Sequence, residues 1–377
     1  MAEKIKKYKI GVLTSSRADY GIYKSLLDIL KNDQRFELIL IVFGMHLLKN
    51  HGETINEIIA DDYEKIDTIE GMSIEDSAED ITNSYGRIIM NFSSYWALNK
   101  FDLVFALGDR FEMSAAVQST IPFGIDIAHL HGGEDTLGAI DNIYRYQISL
   151  ASKLHFTAAE AFSENLRNKI TASDNIHTVG SLSLDSIKNL NLPEWSKVCD
   201  QFNIPNKPFV LVTFHPETIA LSENEKFVTE IEKSLTALCK STHVVITLAN
   251  ADTMGQFYRN VGAKLKQLFP DNITLVNSFG KLNYFSAMKN CLYLLGNTSS
   301  GIIEAASFNK YVVNVGDRQK GRLQSDNVLN VPFDAEKIKE ACDVASLRGA
   351  YGSVNQYHLN GTANKVLEVI IKYFNSL

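Results

Sequence analysis

Residues 8–30 read YKIGVLTSSRADYGIYKSLLDIL, and this stretch decides the fold class of the chain. An apolar run over residues 10–14 leads into a polar turn, and residues 20–30 then repeat apolar side chains at helical spacing. Short buried runs that alternate with amphipathic segments are typical of parallel strands joined by helices. The stretch therefore predicts one strand-helix unit of an α/β protein.

The same alternation continues along the chain. Further strands are predicted at residues 38–43, 103–107, 127–130, 154–157, 209–214, 244–248, 273–276, 292–295 and 311–315, and helices at 113–120, 223–239 and 257–269. Prolines break the pattern within residues 189–208. We therefore predict two doubly wound, Rossmann-like domains, at 1–190 and 205–360, with ligands at the carboxyl ends of their strands. The amphipathic segment 363–377 either ends the second domain or packs back on the first.

Composition narrows the function classes. The net charge of -7 over 377 residues argues against a nucleic-acid partner, because phosphate backbones are bound by clustered Lys and Arg. No secretory signal and no apolar run of about 20 residues is evident, so neither export nor membrane insertion is expected. The four cysteines are scattered without a C-x-x-C pair, which predicts reduced thiols in a cytoplasmic protein.

Polar residues follow several predicted strands. The first strand leads into Ser15-Ser16-Arg17-Ala18-Asp19, which either binds an anion or caps the next helix; we favour the cap. Asp109 and Arg110 follow the strand at 103–107, as an acid/base or phosphate pair or as a cap. His215 follows a strand of the second domain, as a structural residue or as one that contacts a phosphate or moves a proton.

The sharpest pattern is GNTSSGIIE at residues 296–304. A strand runs into small residues at a predicted helix start, where Ser299, Ser300 and Gly301 offer N–H groups to a diphosphate. Glu304 lies one turn later and could accept ribose hydroxyls. Residues 316–322, GDRQKGR, contain three cations that could bind a phosphate. The alternative is that they form an exposed basic loop. Neither a Walker A loop nor G-x-G-x-x-G is present, which disfavours ATP hydrolysis and dinucleotide redox chemistry.

The sequence also permits a metal site at His129, His131 and Glu134. Histidines two apart on a strand share a face, so the spacing permits joint ligation. The competing interpretation, which we favour, keeps His129 as a structural residue of the sheet.

Together these segments resemble the hydrolysing UDP-N-acetylglucosamine 2-epimerase family, nearly end to end. The resemblance rests on SSRADYG (15–21), LGDRFE (107–112), HLHGGE (129–134), FHPET (214–218), NADT (250–253), GNTSSGIIE (296–304) and GDRQKGR (316–322). The chain looks closest to the bacterial sialic-acid branch, and is also similar to enzymes acting on UDP-N,N'-diacetylbacillosamine. The resemblance implies a glycosyltransferase-B-like fold with the active site in the interdomain cleft, no metal and no NAD, and a homodimer or homotetramer.

The resemblance also implies residue roles. It places acid/base chemistry at the carboxylates and the diphosphate-side histidine: Asp109, Glu134, Asp141 and His215. It assigns the UDP-sugar to Arg17, Arg110, Arg145, Phe279, Ser299, Ser300, Gly301, Glu304, Arg318 and, more weakly, Arg322. The implied reaction eliminates UDP from UDP-GlcNAc to give 2-acetamidoglucal, which water converts to N-acetylmannosamine.

One departure from the family pattern stands out. Family members usually continue the acidic loop as Asp, an acid, then Ile-Arg-His, whereas this chain has Asn142 and Tyr146 at the second acid and the histidine. Three alternatives stay open. One is the same chemistry on UDP-N,N'-diacetylbacillosamine, and the second is a UDP-sugar glycosyltransferase, since the same two-domain cleft serves both chemistries. The third, suggested by Asn142 and Tyr146, is a UDP-sugar binding protein without turnover.

Overall fold

The structure is a computed structural model, and it describes residues 7–49, 52–73, 77–137, 140–170, 174–185, 187, 190–217, 221–247 and 255–376. The chain forms two compact units, and each unit is built from more than one segment of the chain. Unit 1 comprises Met1–Glu134, Asp141–Ser186 and Tyr357–Leu377, and unit 2 comprises Asp135–Ile140 and Ile187–Gln356. Residues 189, 218, 248, 250–253 and 377 of the segments named above lie outside the described residues.

Unit 1 is a seven-stranded parallel sheet with helices. Its strands are β1 (Tyr8–Thr14), β2 (Phe36–Phe43), β3 (Ile66–Ile69), β4 (Leu103–Leu107), β5 (Ile127–Leu130), β6 (Leu154–Thr157) and β7 (Ile176–Thr178). Its helices are α1 (Arg17–Asn32), α2 (Ile55–Ala60), α3 (Ala78–Leu98), α4 (Phe111–Gln118), α5 (Asp141–Leu150), α6 (Glu160–Lys169) and, at the end of the chain, α13 (Thr362–Asn375).

Unit 2 repeats the plan with six parallel strands. The strands are β8 (Phe209–Thr213), β9 (His243–Thr247), β10 (Ile273–Val276), β11 (Leu294–Gly296), β12 (Val312–Val315) and β13 (Val328–Val331). The helices are α7 (Trp195–Phe202), α8 (Asn224–Leu238), α9 (Gly255–Leu268), α10 (Lys281–Asn290), α11 (Ser299–Ile303) and α12 (Ala335–Arg348).

Both sheets are covered on two faces, which explains the continuous apolar strands. In β1, Ile10 and Val12 enter one hydrophobic cluster while Leu13 enters another. Because successive side chains of a strand point to opposite faces, a strand buried on both sides needs apolar residues at every position. The strands of unit 2 divide their side chains between two clusters in the same way.

The strand order reverses once in each sheet. Unit 1 has the order β3-β2-β1-β4-β5-β6-β7, and unit 2 has β10-β9-β8-β11-β12-β13. The reversals fall between β1 and β4 and between β8 and β11, where the following helices leave to opposite sides. Such switch points form the ligand crevices of doubly wound sheets. The polar segments after these four strands are therefore where a ligand is expected.

The final helix belongs to unit 1. In α13, the buried Val366, Ile370 and Phe374 join the cluster that covers β1 and α1. The ring of Phe374 stacks on Tyr8 with 4.1 Å between centroids. The segment 363–377 thus packs on the unit that begins the chain.

The predicted fold class is confirmed, and all ten predicted strands are present with ends that differ by at most two residues. Three strands were not predicted: β3, β7 and β13. Each has four residues or fewer and lies at a sheet edge, and none is a long buried apolar run. No helix within the described ranges combines the length and apolarity that crossing a bilayer requires.

Two buried histidines face each other across β5 and β6. His129 and His155 are paired in register, and both are inaccessible to solvent. Burial lowers the pKa of His129 to about 3 and that of His155 to about 4, so both rings are neutral near pH 7. Among the described residues, neither ring nitrogen of His155 has a hydrogen-bond partner.

We expect these histidines to make unit 1 acid-sensitive. Below about pH 6.5 the unfolded chain takes up protons that the folded unit rejects, so the free energy of unfolding falls until about pH 4 for His155 and about pH 3 for His129. Each group contributes up to about 1.4 kcal/mol per pH unit in its window. His155→Leu removes one such group without breaking a side-chain hydrogen bond, and should flatten this slope while stability at pH 7.5 stays within about 1 kcal/mol.

Urea unfolding followed by Trp96 fluorescence measures this slope. The chain has two tryptophans, Trp96 in unit 1 and Trp195 in unit 2, so a Trp195→Phe background makes the signal specific to unit 1. An unchanged slope between pH 6.5 and 4.5 in His155→Leu would contradict the assignment.

Candidate functional site

The start of α1 is a helix cap. The N–H groups of Ser15 and Ser16 donate to the carboxylate of Asp19 at 2.9 and 3.1 Å, and Ser16 caps the helix. Burial alone would raise the pKa of Asp19, but hydrogen bonds and charge from His46, with bonds from Thr14 and Ser15, hold this pKa below its usual range. The capping interpretation is therefore confirmed.

The two arginines beside this cap pair with carboxylates. Arg110 directly precedes α4, and its Nε donates to Glu112 at 2.5 Å. Glu112 is fully buried, so the guanidinium offsets the cost of burying that carboxylate. Arg17 lies 3.9 Å from Glu57 and is partly exposed. Of the predicted phosphate-side arginines, Arg17 and Arg110 are thus both at the β1–β4 switch point.

Asp109 and Glu134 are joined by one buried guanidinium. Arg145, one turn into α5, forms an ion pair with Asp109 and donates from Nη1 to the backbone carbonyl of Glu134 at 2.7 Å. The Arg145 side chain is only 2 % exposed, so its charge requires compensation within the protein. Asp141 is the first residue of α5, on the same helix. The structure therefore brings together Asp109, Glu134 and Arg145 and places Asp141 one turn before the arginine.

The turn that carries Glu134 has unusual backbone geometry. His131 adopts a φ of 63° and Gly133 a φ of 78°, both in the left-handed region. A Cβ on Gly133 would lie 2.2 Å from the carbonyl oxygen of Phe162, so only glycine fits. Glu134 is 1 % exposed, and its Oε1 lies 3.4 Å from Nδ1 of His131.

His129 fixes the turn that carries Asp109. Its Nε2 lies 2.9 Å from the carbonyl oxygen of Gly108, and its Nδ1 lies 2.9 Å from the hydroxyl of Ser149 on α5. Since a carbonyl only accepts, Nε2 carries the proton and Nδ1 accepts from Ser149. Both ring nitrogens of His129 are thus hydrogen-bonded, which excludes metal ligation by His129 together with His131. Over the ranges that the structure describes, no three His, Cys, Asp or Glu side chains are grouped to hold a metal.

In unit 2, Asn297 organises the β8–β11 switch point. Its Oδ1 accepts from the N–H of His215 at 2.7 Å, and its Nδ2 donates to the carbonyl of the same residue at 2.8 Å. Its own carbonyl accepts from Gln319 at 2.8 Å and from Arg318 at 3.5 Å. Gly296 permits this approach, because a Cβ there would lie 1.8 Å from the carbonyl oxygen of Thr213. Asn297 therefore links His215 to the loop of Arg318.

Glu217 holds the same loop from the other side. Its Oε1 accepts from the N–H groups of Asp317 and Arg318 at 2.6 and 3.1 Å. Burial raises the pKa of Glu217, although these two bonds act against the rise. Arg322 follows in this loop, where its N–H donates to the carbonyl of Gln319 at 3.2 Å. The exposed basic loop considered from the sequence is thus tied to buried side chains.

The serine-rich helix is short. α11 spans five residues and passes directly into a 3-10 turn at Ala305–Phe308, so its dipole is weak. The N–H of Ser300 is directed at Thr298 Oγ1 at 3.4 Å, and its hydroxyl lies 2.8 Å from that of Tyr284. Ser299 opens the helix, and Glu304 is buried at its C-terminal end. The predicted helix start is thus present at Ser299, and its role toward a diphosphate stays a prediction.

The two remaining predicted residues pack closely. Gly301 is buried in α11, where a Cβ would lie 3.0 Å from Val312. The ring of Phe279 is buried 4.7 Å from that of Phe202, and its backbone carbonyl accepts from Asn283 at 2.9 Å.

Sequence reasoning missed the residues that hold the others in place. The sequence does not predict this holding role for any of four residues: His129, Asn165, Glu217 and Asn297. Asn297 directly follows the strand-end Gly296, and Glu217 lies two residues after His215. These positions are the only sequence signal that the two residues carry.

Comparisons with known proteins identify the family of the chain. The family model for UDP-N-acetylglucosamine 2-epimerase matches residues 28–371. A UDP-N,N'-diacetylbacillosamine 2-epimerase (hydrolyzing) of Legionella pneumophila is 33 % identical over 332 residues, covering 88 % of this chain and 86 % of the relative. Polysialic acid biosynthesis protein P7 of Escherichia coli is 30 % identical over 339 residues, covering 89 % and 86 %.

Solved structures share the fold. The UDP-GlcNAc 2-epimerase of Methanocaldococcus jannaschii, solved in complex with UDP-GlcNAc and UDP, superposes with a TM-score of 0.80 at 16 % identity, covering 97 % of this chain and 99 % of that one. This similarity confirms the predicted pair of glycosyltransferase-B-like α/β domains. Because the family model spans nearly the whole chain, the protein belongs to the UDP-N-acetylglucosamine 2-epimerase family.

Proposed function

We propose that this protein is a hydrolysing 2-epimerase that converts UDP-GlcNAc and water into N-acetylmannosamine and UDP. The observation that carries the proposal is the pairing of Asp109 with the Glu134 turn around Arg145, in a chain of an epimerase family. The relative named for polysialic acid biosynthesis supports a role in making sialic-acid-type sugars. We place the reaction in the cytoplasm.

The reaction needs a base, an acid and stabilisation of a leaving diphosphate. A base removes the C2 proton while the C1–O bond to UDP breaks, which leaves 2-acetamidoglucal. Water then adds its hydroxyl to C1, and a proton is delivered to C2 on the opposite face. Carboxylates supply such proton transfers, and Asp109, Glu134 and Asp141 are the candidates in unit 1.

Unit 2 supplies the groups for UDP. Cations and N–H donors stabilise the charge that develops on a departing diphosphate. We assign that role to His215, Ser299, Ser300, Gly301, Arg318 and Arg322, together with Arg17 and Arg110 of unit 1. Glu304 would accept ribose hydroxyls, and the backbone at Phe279 would meet uracil.

A second candidate keeps the chemistry and changes the sugar. The Legionella relative carries the name of UDP-N,N'-diacetylbacillosamine, and it is 33 % identical. The donor that supports turnover decides between the two candidates.

Turnover in D2O tests the proposed reaction. Incubation with UDP-GlcNAc should give UDP and N-acetylmannosamine with deuterium at C2, because the second step takes its proton from solvent; proton NMR follows both. Parallel incubation with UDP-N,N'-diacetylbacillosamine tests the second candidate. Release of UDP from neither donor in water alone would contradict the proposal, and release only with an added acceptor would indicate a glycosyltransferase.

Asp109→Asn tests the carboxylate paired with Arg145. We expect kcat to fall by about 100-fold or more, since a lost acid/base group costs this much. The matched control is Asp28→Asn, which makes the same change on the exposed side of α1. A kcat within threefold of wild type would remove Asp109 from the mechanism, provided that circular dichroism shows both variants folded.

Asn297→Ala tests the organisation of the UDP half. Loss of its bonds to His215 frees two backbone groups, and we expect the Kd for UDP to rise about tenfold, because such bonds contribute about 1–2 kcal/mol. Isothermal titration calorimetry with UDP measures this change. The matched control is Asn290→Ala at the exposed end of α10, and equal Kd values for the two variants would exclude the assigned role.

A further inference from the structure

Two adjacent residues of α5 reach two adjacent carbonyls of the glycine turn. Arg145 donates directly to the carbonyl of Glu134 at 2.7 Å. Tyr146 reaches the carbonyl of Gly133 through Asn165 of α6, whose Nδ2 lies 2.7 Å from that oxygen and 3.0 Å from the Tyr146 hydroxyl. We propose that Tyr146 is a positioning residue for Glu134 and acts through Asn165; the inference rests on the proposed function.

The side-chain chemistry assigns a direction to these bonds. The Asn165 amide has two hydrogens, and one is directed at Gly133 and the other at Tyr146. The Tyr146 oxygen also accepts from the ammonium of Lys169 at 2.6 Å, and that cation lies 4.1 Å from the centre of the ring. Tyr146 therefore serves as an acceptor that holds the amide plane of Asn165.

The two carbonyls bracket Glu134. The Gly133 carbonyl belongs to the peptide before its Cα, and the Glu134 carbonyl to the peptide after it. Because peptide groups are planar, fixing both planes fixes φ and ψ of Glu134 and hence the direction in which its side chain leaves the backbone. The preceding glycines impose little restriction of their own, so this restriction has to come from outside the turn.

This role explains how tyrosine can stand where family members carry histidine. The bond that Asn165 makes needs only an acceptor at this position, and either a phenol oxygen or a neutral imidazole nitrogen provides one. Proton transfer by residue 146 is not required.

A double-mutant cycle tests the inference. Tyr146→Phe keeps the ring and removes the acceptor, and Asn165→Ala removes both bonds. Each should lower kcat about tenfold with KM within about twofold, because a displaced carboxylate slows the chemistry more than it weakens binding. The double variant should be no slower than Asn165→Ala alone, since the two residues act in series. Tyr146→His should recover at least half of the wild-type kcat.

Two controls separate positioning from general damage. Asn168→Ala makes the same change as Asn165→Ala at an exposed position of α6, and should leave kcat unchanged. Hydrogen-deuterium exchange of the peptide covering residues 131–137 should be faster in Tyr146→Phe and Asn165→Ala than in Asn168→Ala.

The outcomes are distinct. Additive losses in the double variant, a Tyr146→Phe kcat within twofold of wild type, or unchanged exchange would each overturn the positioning role. Failure of the wild type to release UDP from either donor would overturn the proposed function instead, and the exchange measurement would still decide the hydrogen-bond network.

Discussion

The buried guanidinium of Arg145 is the constraint on which the acidic half of the site depends. It carries a full charge in a position that is 2 % exposed, and such a charge persists only where anions and carbonyls surround it. Asp109 supplies the anion and Glu134 a carbonyl. One side chain thereby holds the ends of two neighbouring strands, β4 and β5, at a fixed separation.

In unit 2, a neutral side chain holds together the segments that follow two neighbouring strands. Asn297 is fully buried at the β8–β11 switch point, and its side-chain amide bonds to both the N–H and the carbonyl of His215. Its backbone carbonyl accepts from the side chain of Gln319. An amide can match a neighbouring backbone donor and acceptor at once, which a charged side chain cannot. A neutral clamp also adds no charge of its own to a region that already contains the cation of Arg318. We see this as the physical reason for different clamps in the two units.

The sequence predicted the fold well because buried parallel strands leave a strong local signal. β4, β5, β6 and β10 match their predicted bounds, since each is a compact apolar run with clear ends. The short edge strands carry no such signal. The start of α11 was recognisable for a related reason, because small polar residues follow a buried strand there, whereas its end after five residues depends on tertiary packing.

The sequence indicates site residues mainly at strand ends, and the family resemblance adds Asp141 and Arg145, which lie on α5. Asp109, Glu134 and His215 were found this way, because strand-end polar residues are recognisable locally. Their partners are not, because Arg145 is 36 residues from Asp109 and Asn297 is 82 residues from His215. Such pairs exist only once the strands are assembled, and a single sequence contains no record of them.

The glycine turn shows why these distant partners matter. A turn with His131 and Gly133 in left-handed conformations allows the chain to leave β5 sharply, which a stiffer sequence could not do. The same freedom would let Glu134 point in many directions, and ordering a flexible segment costs conformational entropy. The protein meets that cost with side chains from α5 and α6 that bind the backbone of the turn. Flexibility in the sequence and rigidity in the site are therefore compatible, because the restraint comes from side chains of two helices, α5 and α6, that lie outside the turn.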